Sequence, residues 1–179
     1  MAAAIFRPGN RRDSAPVTDP AGVDPRPARP ARRRLAGVAA SLLAVTLLSG
    51  VLTSCETTRG DRLAVMNAIN HSRAQHGLHP LREHGQLNHK ADQWASRMRD
   101  ECRIWHSRLA DGAPRNWRKL GENVGRGGSI AVVHNAYMHS PGHKANILDP
   151  AYNYVGTGAV WGRCNGHRTV FTVQVFMKA

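Results

Sequence analysis

From residue 61 onward, apolar residues repeat at helical spacing. Leu63, Met66 and Ile69 follow Asp61, which reads as a helix cap, and Gly77 with Pro80 just beyond predicts the stop. A second helix is predicted over 86–99, with Leu87, Ala91, Trp94 and Met98 stacked on one face and Trp94 serving the core. Residues 102–117 lack periodicity and carry Gly112 and Pro114, so they read as loop. Gly125, Gly127 and Gly128 read as a flexible link into a third helix over 129–138, with Ile130, Val133 and Tyr137 inward and His134 on a flank. A tight Ser140-Pro141-Gly142-His143 turn follows, then a short segment burying Ile147 and Leu148. The remainder is β-prone: 154–161 is interrupted by glycine, while 169–178 alternates, with Phe171, Val173, Val175 and Met177 on one face. Asn165-Gly166 between them signals a hairpin. Helices first and an antiparallel hairpin last predict an α+β fold.

The N-terminal third has a different pattern. Residues 1–34 are rich in Pro, Ala and Arg and cannot bury a core, so they read as a disordered basic leader. Arg32-Arg33-Arg34 opens an apolar run over 35–52, the layout of a bacterial export signal. Its exit, Leu52-Thr53-Ser54-Cys55, resembles the lipobox of bacterial lipoproteins, which implies cleavage and lipidation at Cys55. The alternative is an uncleaved anchor, since about 18 apolar residues just span a bilayer. Both place 61–179, after a 55–60 linker, outside the cytoplasm as one domain, expected to be a cell-surface monomer.

Export changes the meaning of the cysteines. With Cys55 lipidated, Cys102 and Cys164 remain as an even pair, for which a disulfide is the default outside the cell; two buried thiols are the alternative. The leader holds 8 of the 25 Lys+Arg and 3 of the 12 acids, leaving 17 against 9 and a net +8 on the exported part. A basic surface near a membrane suits anionic head groups or cell-wall polymers. Nucleic acid is not an expected partner there, and no arginine-rich helix or aromatic stacking motif argues for one.

Candidate chemistry gathers around 121–148. Gly121-Glu122-Asn123 and Ser140-Pro141-Gly142-His143 read as irregular segments bracketing one helix, so that Glu122 and His143 face one cleft, with His106 of Trp105-His106-Ser107 as a third member. Taken in order, several phrases resemble the CAP superfamily of cysteine-rich secretory, antigen 5 and pathogenesis-related class 1 proteins, in its compact bacterial branch. They are Asn70-x-x-Arg73, the Leu87/Ala91/Trp94 helix, His106, Gly121-Glu122-Asn123, Ser140-Pro141-Gly142-His143 with Asn146-Ile147-Leu148, Gly156-x-Gly158 and Gln174-x-Phe176.

The resemblance implies a three-layer α-β-α sandwich with a central antiparallel sheet. It also implies a cleft that, in many members, holds two histidines and two glutamates and binds a divalent metal in some. His106 matches the first histidine and Glu122 the first glutamate. Ser140 stands where the second glutamate would be and Phe171 where the second histidine would be, so His143 is the expected replacement imidazole.

A cleft of His106, Glu122 and His143, with Ser140 and Asn123 beside it, admits three readings. It holds Zn²⁺ as an open site, works as a general acid/base pair, or forms a hydrogen-bond network pinning loops to the sheet. No H-E-x-x-H and no G-x-S-x-G is present to favour metal-dependent or serine hydrolysis. The expected function is therefore a surface-tethered binding module for a lipid, a cell-wall polymer or a surface protein. The alternative is a secreted hydrolase or peptidase using His106 and Glu122.

Overall fold

The computed structural model describes residues 4–6 and 59–179. In chain order the elements are β1 (Ala4–Phe6), α1 (Arg59–Gln75), β2 (Arg82–Glu83), α2 (Gly85–Asp100), β3 (Lys119–Gly127), α3 (Ile130–Met138), α4 (Pro141–Ile147), β4 (Tyr154–Cys164) and β5 (His167–Lys178).

α1 begins two residues before the expected cap, so Asp61 lies inside its first turn, where a carboxylate still opposes the positive end of the helix. Its end follows the sequence reading. Gly77 takes φ +69°, Leu78 N–H donates to the Arg73 carbonyl at 2.9 Å and Gly77 N–H to that of Ala74 at 3.0 Å, a Schellman closure. The Asn70-x-x-Arg73 phrase acquires a structural meaning here. Asn70 Oδ1 accepts from Leu81 N–H at 2.8 Å while its Nδ2 donates to the Leu81 carbonyl at 3.1 Å. Buried Arg73 donates to the carbonyls of His79, Ile147 and Asp149, tying α1 to the end of α4.

The sheet runs β1-β3-β5-β4-β2; β3, β5 and β4 pair antiparallel, and two-residue β2 joins β4 in parallel. Asn165 (φ +51°) and Gly166 (φ +81°) make the predicted hairpin turn. Helices cover both faces. α2 packs against Val160, Phe171, Val173, Val175 and Met177; α1, α3 and α4 pack against Val155, Ala159, Val170 and Phe176 on the other face. This is the α-β-α sandwich expected.

The sheet also departs from the sequence reading along its β1–β3 edge. The glycine-rich stretch taken as a flexible link is strand β3, between β1 and β5 and buried over Leu120–Val124. Within the segment read as disordered leader, Ala4-Ile5-Phe6 pairs antiparallel with Leu120, Gly121 and Glu122. This is a short apolar triplet laid along the outer edge of β3, where strand backbone offers unpaired N–H and C=O groups to any extended segment.

Cys102 and Cys164 form a disulfide, Cα–Cα 5.6 Å, linking the start of the α2–β3 loop to the end of β4. It closes a sequence separation of 62 residues, so its reduction is expected to cost about 2–4 kcal/mol. Thermal melts with and without reductant measure this, and coincident curves would show the bridge to be redundant. No helix among the described residues is long and apolar enough to cross a membrane. The 35–52 run and the Cys55 lipidation site lie outside the described residues.

Candidate functional site

β3 carries two chemically different faces. Leu120, Glu122 and Val124 point toward α2 and the 101–118 loop, while Gly121, Asn123 and Gly125 point toward α3, α4 and Tyr152. The period-two alternation of a strand thus sends the neighbours Glu122 and Asn123 to opposite sides.

On the α2 side Glu122 is fully buried and both its oxygens are engaged. Oε1 lies 2.9 Å from His106 Nδ1 and accepts from Ser107 N–H at 2.9 Å; Oε2 accepts from Ser107 Oγ at 2.6 Å. The carboxylate therefore fixes the loop carrying His106 and Ser107 onto the sheet and orients the His106 ring, which stays partly accessible at 23%.

On the opposite side lies an amide network. Asn123 Nδ2 donates to the His143 carbonyl and to Gln174 Oε1, and Asn146 Nδ2 donates to Asn123 Oδ1 and to the Glu122 carbonyl. His143 is not in a turn: it belongs to the short helix α4, fully buried, its Nδ1 2.8 Å from Ser140 Oγ and its ring 4.8 Å from that of Tyr137. Pro141 at the start of α4 favours helix there, which is why the Ser-Pro-Gly-His phrase folds as a helical turn.

The expected three-member cleft is thus only partly assembled. The structure brings His106 and Glu122 together, and puts His143, Ser140 and Asn123 across the sheet from them. Phe171 is core against α2. A divalent metal on His106, Glu122 and His143 does not fit this arrangement, and no three His, Cys, Asp or Glu side chains among the described residues are grouped to hold one.

The structure adds residues that the sequence reading passed over. A cavity of about 480 Å³ opens beside the Glu122 cluster, lined by Lys90, Trp94, Arg97, Ser107, Arg108 and Asp111 among others. Ser107 belongs to both the cluster and the cavity. Lys90 is more than nine-tenths buried and donates to the carbonyls of Arg108 at 3.0 Å and Asp111 at 2.7 Å. Burial pushes its ammonium below the ordinary lysine value, against the opposing pull of Glu122 and Asp111. Its position three residues after Leu87, on the buried stripe of α2, is the signal that could have marked it. Trp94, expected as core, is half-buried, with Nε1 donating to the Trp105 carbonyl at 2.8 Å.

A second depression of about 640 Å³ lies between α1 and α3. There Ser72 Oγ is 2.8 Å from His134 Nε2, and His134 Nδ1 is buried with no hydrogen-bond partner among the described residues. Burial, with His71 nearby, holds the His134 pKa below its ordinary 6.5. The unfolded chain takes up a proton that the native ring resists. This contribution to stability is therefore complete above about pH 6.5 and is lost as pH falls below it, down to the native pKa. The urea midpoint is expected to hold between about pH 7 and 8 and to decline toward about pH 5. His134→Gln should flatten that decline; an unchanged profile would exonerate His134.

The comparisons with known proteins agree with this architecture. A profile described as the cysteine-rich secretory protein family (CAP) matches residues 66–176. An uncharacterized protein, YkwD, of Bacillus subtilis is 30% identical over 105 residues, 54% of this chain and 41% of the relative, so the match spans under half of that relative's length. Among solved structures, an extracellular SCP-domain protein of Bacillus anthracis superposes with a TM-score of 0.57 at 23% identity, covering 67% of this chain and 41% of that one. An outer surface protein of Borrelia burgdorferi does so with a TM-score of 0.55 at 19% identity, covering 65% and 90%. At those identities the superpositions speak for the fold alone, whereas the profile spans more than half of the chain: this protein belongs to the cysteine-rich secretory protein family.

Proposed function

We propose that this protein is an extracellular binding module, held at the cell surface through Cys55, whose ligand site is the cavity over the Glu122 cluster. One observation carries the reading. The buried carboxylate of Glu122 is taken up on both oxygens by the loop that walls the cavity, so it shapes the site and is not left to act as base or metal ligand. Solved relatives described as an extracellular protein and an outer surface protein support the location. The hydrolase alternative would use His106 and Glu122, but that carboxylate is fully buried with both oxygens engaged, and the Ser140–His143 contact lies across the sheet, its imidazole buried beneath Tyr137.

Native mass spectrometry of the protein purified from its own membrane tests this reading. The expected spectrum shows a diacylated N-terminus at Cys55 and a retained non-covalent ligand that His106→Ala weakens. A chain lacking the acyl group, or catalytic turnover of a peptide or ester panel that Glu122→Gln abolishes, would overturn it.

A further inference from the structure

The cavity beside Ser107 is charged in one sense. Lys90, Arg97 and Arg108 line it, against a single carboxylate, Asp111. Neither Arg97 nor Arg108 makes an ion pair among the described residues. Arg97 lies close enough to Lys90 to disfavour its charge. Lys90 has three N–H bonds, of which the Arg108 and Asp111 carbonyls take two. Such a group of cations is held together at an electrostatic cost that an incoming anion relieves. The wall is not purely polar: Trp94 contributes an indole, with the Arg97 guanidinium 5.4 Å from its ring centroid. Indole surfaces combine an apolar face with tolerance of a wet surround, the environment that a sugar ring brings. About 480 Å³ is ample for one or two such rings and sits within the usual range for small-ligand sites.

The geometry points to a site for an acidic saccharide, one bearing a phosphate or carboxylate, with Arg97 and Arg108 gripping the anion, Lys90 at the base and Trp94 against the ring. This names the ligand class of the binding module above and rests on that reading. Charge complementarity favours it, since the exported part carries a net +8.

Isothermal titration of the purified full-length protein with glucose 6-phosphate, glucuronate, glucose and inorganic phosphate, and with phosphatidylglycerol vesicles, tests it. Both acidic sugars should bind saturably and glucose should not. Arg97→Ala and Arg108→Ala should each weaken that binding at least tenfold with unchanged thermal melts, while Arg163→Ala, on the exposed hairpin end, should leave it intact. No saturable binding of either acidic sugar, or binding indifferent to both cavity substitutions, overturns the site. Inorganic phosphate binding as tightly as glucose 6-phosphate overturns the saccharide assignment. Vesicles that bind through the same arginines while the sugars do not would reassign the site to a membrane. A different ligand retained in the mass spectrum, with no binding of acidic sugars, would remove this inference and leave the binding-module reading standing.

Discussion

Gly156→Ala is expected to destabilise the domain by about 3 kcal/mol or more, lowering its melting temperature by on the order of 10 °C. A Cβ built at Gly156 would lie 2.1 Å from the Leu87 carbonyl carbon, 2.3 Å from Leu87 Cβ and 2.5 Å from Asn88 N. Two of those three atoms are backbone, so no rotamer change relieves the clash; α2 must lift from β4. Gly158 stands in the same relation to Ala91, at 2.6 Å. The Gly156-x-Gly158 phrase and the Leu87/Ala91 phrase are therefore two halves of one helix-on-strand contact. Gly128→Ala is the control, because nothing lies within 4 Å of its Cβ position, and it should melt with the parent. Circular-dichroism melts decide the matter: a Gly156→Ala protein as stable as the parent would mean that α2 does not seat on β4 as described.

The second large effect is expected at Glu122. Replacing it with alanine removes the acceptor for three part-buried donors, His106 Nδ1, Ser107 N–H and Ser107 Oγ, and leaves a gap where a fully buried carboxylate stood. Orphaning a buried charge-assisted network of this kind costs about 3–5 kcal/mol. Glu122→Gln, which keeps one acceptor oxygen of similar shape, should lose roughly half as much. Urea titration gives the stabilities, and amide hydrogen exchange should report faster opening over 105–108 in the alanine variant. A change below about 0.5 kcal/mol would place Glu122 among ordinary surface positions and remove the structural role assigned to it.

These two sites also show what could be read from the chain itself. β5 is legible because its odd-numbered apolar residues from Phe171 to Met177 all meet α2, and the Asn165-Gly166 turn is legible because both residues take positive φ. β3 is not legible. A strand covered on both faces needs no alternation, and its glycines resemble a linker although they are packing positions. A Cβ at Gly121 would meet the Tyr152 hydroxyl at 2.4 Å, and one at Gly125 the Tyr137 hydroxyl at 2.7 Å. Reading those glycines as flexibility hid the strand, and with the strand went the alternation that separates Glu122 from Asn123. The pairing of His106 with Glu122 follows the family phrases. The placement of His143 could not, because one helical turn in α4, invisible in four residues of Ser-Pro-Gly-His, decides which way that ring faces. Lys90 was missed for the opposite reason: a lysine on an amphipathic helix reads as solvent-facing until two loop carbonyls are found holding it in.

The Asn70 amide meets both backbone groups of Leu81, and an amide alone supplies one donor and one acceptor at that size. Slow hydrolysis of that side chain to an acid would swap its donor for a second acceptor set against a carbonyl. The join between the first helix and the short edge strand therefore depends on one side chain staying uncharged, and Asn70→Asp should loosen it there.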